Sequence, residues 1–213
     1  SLGALNQFSN TTVSFSLWFN STSVSTTAIL LGSNQNAIFA GEFDLYTYNS
    51  GFLVTVATST SAYIQLTTPA NLSNNTWHNV VVTLNASDSN VVKIYLDGNE
   101  QTTTVIASVG TISTALLNST SNLNIGVDNV PSSYFNGKID QVRIYGKALS
   151  AANVATLYAE TVATASTNPV FNVPSGVAYY KMSDATDETG SYDGTPTNVN
   201  FNVAGKFGNA GSF

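Results

Sequence analysis

A predicted strand near residue 45 carries carboxylates and tyrosines at alternating positions. Its hydrophobic residues Phe43 and Leu45 should point inward, so the residues between them share the outward face. That outward set is Glu42, Asp44, Tyr46 and Tyr48. Sugars stack on aromatic rings and hydrogen-bond to carboxylates, and the pattern therefore predicts a face that could hold a glycan. Cross-strand packing explains the two tyrosines equally well.

Two other places could contact a ligand. Trp18 has the outward parity of its predicted strand, beside the small residues Ser14 and Ser16. The segment 127–134 is a predicted loop, and loops on a rigid scaffold often carry recognition residues. Its candidate ligand-binding residues are Asp128, Asn129 and Tyr134.

Asp140, Val142 and Ile144 occupy alternate positions of a predicted strand, so their side chains should share one face. Because Val142 and Ile144 should face the core, Asp140 should face it too. A carboxylate in that position costs roughly several kcal/mol unless it is paired or bound to a cation. Lys138 has the same parity but lies on the preceding turn. Two interpretations follow: a cation site, or a carboxylate that accepts main-chain N–H groups at a turn.

Groups suited to nucleophilic catalysis are scarce. The chain has no cysteine and a single histidine, His78, which starts a predicted strand and shares parity with Val80 and Val82. We interpret His78 as a buried, hydrogen-bonded side chain, because no Asp or Ser partner for a general base is apparent nearby. The sequence contains neither a phosphate-binding glycine motif nor a zinc-ligand spacing.

Composition narrows the classes of partner. Charged residues make up only 8% of the 213 residues, and the formal net charge is −6. Nucleic acid and anionic membrane surfaces both require a basic face, so neither partner is expected. Acidic side chains suit hard cations such as calcium. No apolar run approaches the length of a membrane span, so no membrane insertion is expected.

Short alternating segments separated by Gly, Asn and Asp turns dominate the chain. The runs Asn49-Ser50-Gly51 and Asp97-Gly98 predict hairpin turns, and Ser150 predicts the N-cap of one short helix near 150–159. Residues 161–174 are rich in Thr, Ala, Ser, Asn and Pro and are typical of a linker. The pattern predicts an all-β fold, an antiparallel β-sandwich.

Three parts of the sequence resemble laminin-G-like jelly rolls of the concanavalin A-like lectin/glucanase group. They are Trp77-His78-Asn79-Val80-Val81-Val82, Tyr95-Leu96-Asp97-Gly98 and the segment 135–150. The resemblance implies a concanavalin A-like jelly roll, with residues 1–160 as the main part of the sandwich. Residues 175–213 resemble the opening strands of such a module, so the opening strand is displaced to the C-terminal end of the chain.

This displaced order leaves two arrangements open. Residues 175–213 could complete the sandwich of residues 1–160 in cis, or they could complete a neighbour's sandwich by donating a strand. We favour completion in cis. The linker 161–174 spans roughly 45 Å when extended, and the effective concentration is higher within one chain.

The resemblance also implies a structural calcium ion. In resembling modules an Asp at the place of Asp140 binds calcium together with the loop after the first strand. That loop would contribute Asp184, Asp187 and the backbone carbonyl of Gly190. A tryptophan at the place of Trp18 commonly packs against a neighbouring strand or loop in such modules, which is the alternative to ligand contact there.

The segment Glu42-Phe43-Asp44-Leu45-Tyr46-Thr47 resembles the catalytic strand of the related glucanases, which carries three acids on one face. The third acid is replaced by Tyr46, or by Thr47 if a bulge intervenes. A retaining glycosidase needs two carboxyl groups, one as nucleophile and one as acid/base, and the second is missing here. We therefore predict that the chain is not an enzyme; a glucanase-type hydrolase is a remote alternative.

The sequence as a whole predicts an extracellular, cell-surface or virion-surface module. Its expected partners are glycans or cell-surface glycoproteins, bound as part of a larger appendage such as a fibre or an adhesin. The alternative is a purely structural module of a fibre or filament, which assembles with neighbouring modules or subunits by strand donation.

Overall fold

The structure is a computed structural model that describes residues 1–4, 11–33, 41–88, 90–112, 116–117, 120–127, 134–160 and 176–213. Within these ranges the chain forms fourteen strands and one helix. The strands are β1 (Thr12–Ser21), β2 (Ala28–Gly32), β3 (Glu42–Tyr48), β4 (Gly51–Ser59), β5 (Ala62–Thr67), β6 (Trp77–Asn85), β7 (Val92–Leu96), β8 (Asn99–Glu100), β9 (Thr104–Val109), β10 (Asn124–Ile125), β11 (Gly137–Tyr145), β12 (Gly176–Tyr180), β13 (Asn200–Ala204) and β14 (Asn209–Ser212). The helix is α1 (Ala151–Tyr158).

The strands form two antiparallel sheets. The eight-stranded sheet has the order β13-β14-β11-β1-β6-β7-β8, and β12 also pairs with β11. The six-stranded sheet has the order β10-β2-β3-β4-β5-β9. The predicted fold class is confirmed: this is an all-β antiparallel sandwich with one short helix.

Alternating hydrophobic residues fill the space between the sheets. Phe15 and Phe19 of β1 are buried and meet Phe43 and Phe52 of the opposite sheet. The ring centroids lie 4.3 Å apart in the pair Phe15–Phe43 and 5.8 Å apart in the pair Phe19–Phe52. Because each aromatic ring removes a large apolar area from water, these contacts hold the two sheets face to face.

Both predicted hairpin turns occur. Asn49 and Ser50 have positive φ angles of 49° and 61° between β3 and β4. Asp97 and Gly98 have φ angles of 49° and 82° between β7 and β8. Two-residue turns with positive φ at both positions match the right-handed twist of the flanking strands, which is why Asn and Asp-Gly occur here.

The predicted helix also occurs, and Ser150 caps it. Ser150 Oγ accepts the Asn153 N–H at 3.2 Å, and Asn153 Oδ1 accepts the Ser150 N–H at 3.3 Å. The helix packs on the outer face of the eight-stranded sheet through Val154 and Leu157. They form a second hydrophobic cluster with Val81, Tyr95, Tyr145 and Leu149. This cluster explains why Val81 is buried although its neighbours Val80 and Val82 face the main core.

Residues 176–213, which we call the tail, pair with β11 of the same chain. β12 covers the second half of β11, with Val142 opposite Tyr180 and Ile144 opposite Ala178. β14 covers the first half, with Lys138 opposite Ser212. The predicted linker 161–174 lies outside the described residues, and the division of the chain at that linker stays a prediction.

Strand β11 contains a bulge that reverses the predicted direction of Asp140. Gln141 has a positive φ of 52°, and the register with β1 shifts between Ser16 and Trp18. Both Ile139 and Val142 therefore face the main core, with two residues rather than one between them. The expectation that Asp140 shares the core-facing parity of Val142 was wrong, because simple alternation does not anticipate an inserted residue.

A buried polar cluster joins β11, the tail and the end of the helix. Arg143 is 1% exposed, and its Nη1 lies 2.8 Å from Glu160 Oε2. Its Nη2 donates to Gln141 Oε1 and to the Tyr179 hydroxyl, each at 3.3 Å, and the guanidinium lies 4.6 Å from the centre of the Tyr179 ring. Burial raises the pKa of Glu160, and the nearby guanidinium opposes that rise. The cluster therefore connects three segments that are distant in sequence.

Replacing Arg143 with Met should lower the free energy of unfolding by about 3–5 kcal/mol, because the change leaves the Glu160 carboxylate buried without its partner. Chemical denaturation followed by circular dichroism measures this loss. The double variant with Glu160→Gln should recover part of it, since no unpaired charge then remains.

Lys181→Met is the matched control. Lys181 and Glu188 also form an ion pair at 2.8 Å, but both side chains are 34% exposed. Breaking this exposed pair should cost about 0–1 kcal/mol. Equal losses at Arg143 and Lys181 would show that the buried cluster has no special role in stability.

Candidate functional site

The predicted ligand-binding face on β3 is not exposed. Glu42, Asp44 and Tyr46 are only 4%, 2% and 8% exposed, and Tyr48 is half-buried. Asp44 Oδ1 accepts the Ser33 N–H at 3.0 Å and lies where a Cβ on Gly32 would be. The expectation that the first three side chains face solvent was therefore wrong: β3 lies between β2 and β4, and Asp44 packs over the glycine of its neighbour. Ligand contact by these residues stays an untested prediction.

Trp18 is 3% exposed and is enclosed by three side chains. Its ring stacks on Tyr158 of α1 at 5.6 Å and meets Phe207 edge-on at 6.0 Å. Lys206 Nζ lies 4.3 Å from the ring centre, a cation–π contact. Trp18 does face away from the main core, but the helix and the tail cover the ring. It therefore packs within the protein, and no open face remains for a sugar.

Asp140 holds the turn between β13 and β14. Its Oδ2 accepts the Phe207 N–H at 2.9 Å, and its Oδ1 accepts the Gln141 side-chain amide at 2.9 Å. A Cβ on Gly205 would approach Oδ2 to 2.6 Å, so only glycine allows this close contact. Burial raises the pKa of Asp140, and these hydrogen bonds oppose the rise. The geometry matches the second interpretation of Asp140, an acceptor of main-chain N–H groups.

Asp187 holds the loop after β12. It is 1% exposed and accepts the backbone N–H groups of four residues and one hydroxyl group. The four N–H donors are Tyr179, Thr189, Ser191 and Tyr192, and the hydroxyl is that of Thr189. Both carboxylate oxygens are therefore engaged by the loop itself.

The four predicted calcium ligands do not come together as a ligand set. Asp140 accepts a hydrogen bond from the turn at 205–208, and Asp187 accepts hydrogen bonds from its own loop. Asp184 and Gly190 are exposed. Among the described residues, no group of three or more His, Cys, Asp or Glu side chains is placed to hold a metal ion. Calcium needs about six to eight oxygens, so these side chains do not fit it in this arrangement. Calcium binding by the chain stays a prediction.

His78 is buried, as expected, but it does have an acidic partner. Its Nδ1 lies 2.8 Å from Asp97 Oδ2, and its Nε2 accepts the Ser73 backbone N–H at 3.1 Å. Asp97 could not be recognised as this partner from the sequence, because only the β7–β8 turn brings it back beside the start of β6. Since Nε2 accepts the Ser73 N–H, the ring carries its proton on Nδ1, which donates to Asp97. Both ring nitrogens are engaged, which leaves neither to act as a base.

A pocket of about 410 Å³ lies between the edge strand β10 and the tail. Its wall from the first part of the chain includes Asn122, Asn124 and Tyr134. Its wall from the tail includes Asp184, Phe201 and Phe213. Backbone bonds fix this junction: Leu2 N–H donates to Leu123 O at 2.7 Å, and Thr195 N–H donates to Ser1 O at 2.9 Å. We call this cavity the rim pocket.

The rim pocket combines aromatic rings with hydrogen-bonding side chains. Tyr134 is 56% exposed, and the Phe213 ring lies against Gly126, where no side chain blocks it. Asp184 is exposed, and its Oδ1 accepts the Thr186 N–H at 2.9 Å. Asparagine side chains both donate and accept hydrogen bonds, as sugar hydroxyls do. The volume lies within the usual range for a small-molecule site.

Two of the predicted residues, Tyr134 and Asp184, line the rim pocket together. They were predicted for different roles, one as a ligand contact and one as a metal ligand. The predicted ligand contacts Asp128 and Asn129 lie outside the described residues. Phe201 and Phe213 could not be recognised from the sequence, because nothing local indicates that the tail returns to the edge of the six-stranded sheet.

Comparison with protein-family models finds a match over most of the chain. Residues 1–155 match the family model described as the Concanavalin A-like lectin/glucanases superfamily. A search of curated protein sequences finds no match.

Several solved structures share the fold at low sequence identity. The CBM40 of Ruminococcus gnavus IT-sialidase, solved bound to alpha2,3 sialyllactose, is 16% identical with a TM-score of 0.54, over 71% of this chain and 84% of that one. A candidate carbohydrate binding protein of Bacteroides ovatus is 13% identical with a TM-score of 0.52, over 96% of this chain and 52% of that one. The binding domain of botulinum neurotoxin serotype G is 13% identical with a TM-score of 0.50, over 70% and 37%. The chain thus spans about half or less of the latter two proteins.

Asp187→Ala should lower the free energy of unfolding by about 3 kcal/mol, because several buried N–H groups lose their acceptor. Thermal unfolding should show this loss equally in EDTA and in calcium. Asp184→Ala is the matched control from the same loop and should have little effect, since Asp184 is exposed. A loss at Asp187 that appears only in calcium would instead assign the carboxylate to a metal ion.

Proposed function

This chain belongs to the concanavalin A-like lectin/glucanases superfamily, and from that premise we propose that it is a glycan-binding module without catalytic activity. The ligand-binding site in this proposal is the rim pocket. Carbohydrate-binding domains among the proteins of similar fold are consistent with this role.

The observation that carries the proposal is the combination of groups in the rim pocket. Tyr134, Phe201 and Phe213 supply ring faces on which the apolar face of a pyranose can stack. Asn122, Asn124 and Asp184 supply donors and acceptors for its hydroxyl groups. Apolar surfaces with a few convergent polar groups are typical of sites for small polar ligands.

The absence of catalysis is part of the proposal. It is supported by the burial of two acids, the hydrogen bonds of the histidine and the lack of a carboxylate pair in the rim pocket. Glu42 and Asp44 are buried at the strand that resembles the glucanase catalytic strand. The His78 ring is committed to Asp97 and to the Ser73 N–H. In the rim pocket, Asp184 is the single carboxylate among the described lining residues, whereas a retaining glycosidase requires a pair.

The setting that fits this module is an extracellular, cell-surface or virion-surface appendage. Its partners would be glycans of cell-surface glycoproteins, together with the neighbouring modules of the same appendage. In the described part of the chain, no helix is long and apolar enough to cross a membrane.

Tyr134→Ala and Phe201→Ala should each weaken glycan binding by about tenfold, because each removes a ring from the stacking surface. Screening on a glycan array, followed by isothermal titration calorimetry with the strongest hit, measures this effect. Tyr158→Ala is the matched control, since Tyr158 is also an exposed tyrosine, at 42%, but lies on α1 and does not line the pocket. Absence of hits for the unaltered chain, or equal losses in all three variants, would contradict a site at the rim pocket.

A second candidate function is that of a structural module, and β9 favours it. β9 is an edge strand of the six-stranded sheet and pairs only with β5 among the described strands. Val105, Ile106 and Val109 are 54%, 53% and 42% exposed, and β9 contains no charged residue. An uncharged apolar edge is a template for pairing with another chain.

If the chain is a structural module, it should self-associate through β9 at concentrations of tens of micromolar, and Ile106→Lys should restore the monomer. Size-exclusion chromatography with light scattering measures the mass. Thr104→Lys places the same charge at the end of the strand and is expected to act more weakly. A monomeric unaltered chain would remove the support that β9 gives to this candidate.

A further inference from the structure

We infer that the rim pocket selects uncharged sugars and discriminates against glycans whose bound residue carries a carboxylate or sulfate. This inference rests on the proposed function, since it names the class of glycan for the same site. It follows from where the chain places its few positive charges.

None of the six Lys and Arg side chains lines the rim pocket. They are Lys93, Lys138, Arg143, Lys147, Lys181 and Lys206, and all lie within the described residues. Three of them have partners elsewhere. Arg143 and Lys181 form ion pairs with Glu160 and Glu188, and Lys206 makes a cation–π contact with Trp18. The single histidine is held by Asp97. The chain therefore offers the pocket no cationic side chain.

The one charged side chain among the described lining residues is the acid Asp184. A ligand carboxylate that entered the pocket would lose part of its hydration, without a cation to compensate and with a like charge nearby. Sugar hydroxyls face no such cost, because they donate to Asp184 and exchange hydrogen bonds with Asn122 and Asn124.

The amine of Ser1 is the remaining positive group at the pocket. It donates to Thr195 O at 2.9 Å, and burial lowers its pKa below the usual value. Its burial and its hydrogen bond to Thr195 O both make it a weak partner for an anion. A chain extended at this end would carry a peptide group there, so the test must include such a form.

The experiment compares neutral and anionic glycans that differ at one group. A glycan array with neutral, sialylated, uronate and sulfated members is probed with the chain, and the strongest hit and its matched counterpart are then titrated calorimetrically. We expect hits among neutral glycans, with the carboxylated counterpart bound about tenfold or more weakly. The same preference is expected for a chain with two extra residues before Ser1.

Two variants assign the preference to the pocket. Asp184→Asn should reduce the discrimination by about threefold, because it removes the like charge. Asp88→Asn makes the same charge change at a position that does not line the rim pocket, where the side chain likewise accepts the N–H two residues further on, and it should leave the discrimination unchanged. If both variants change it equally, the overall charge of the protein causes the preference and the inference fails.

The outcomes separate the inference from the function on which it rests. Preferential binding of sialylated, uronate or sulfated glycans that is lost in Tyr134→Ala would overturn the inference and leave glycan binding at the pocket intact. Absence of binding to every class, or binding that Tyr134→Ala does not weaken, would overturn both.

Discussion

The second edge of β11 determines how the tail folds and where the rim pocket forms. β11 lies beside β1 with one edge, and its other edge would leave the N–H and C=O groups of a nine-residue strand without partners. The tail satisfies this edge in two pieces, β12 on the second half and β14 on the first. Two buried carboxylates stabilise the segments beside these strands: Asp140 binds the turn before β14, and Asp187 binds the loop after β12.

The same pairing forms the outer face of the eight-stranded sheet and the proposed ligand site. On the outer face, the tail and α1 meet over Trp18 and around Arg143, so that the helix, β11 and the tail are connected by buried contacts. At the rim, the tail brings Phe201 and Phe213 opposite Asn124. The rim pocket, whose walls are β10 with its neighbours and the tail, exists only when the edge of β11 is covered, so the proposed site depends on the same pairing that stabilises the fold.

The sequence predicted the parts of the fold that local rules govern. The turn residues Asp97-Gly98 predicted a hairpin, and the cap residue Ser150 predicted the start of the helix. Both predictions succeeded because these signals act over only a few residues. The direction of Asp140 could not be predicted, since one inserted residue at Gln141 breaks the alternation and turns Asp140 away from the face that Val142 occupies. The rim pocket was equally inaccessible, because its walls come from segments far apart in sequence that only tertiary pairing brings together. Burial of Asp44 likewise depends on the neighbouring strand, not on its own.

An engineered disulfide between the tail and β11 would show which chain the tail completes. Lys138 and Ser212 are opposite each other on β11 and β14, and antiparallel partners have Cα atoms about 4.5–5.5 Å apart, within the range of a disulfide. The natural chain has no cysteine, so Lys138→Cys with Ser212→Cys gives a single pair of thiols. After mild oxidation of a dilute sample, the account predicts a disulfide within one chain, shown by a monomer on non-reducing gels and a linked peptide in mass spectrometry. Disulfide-linked dimers or longer species would show that the tail completes a neighbour, and would contradict a rim pocket built from one chain.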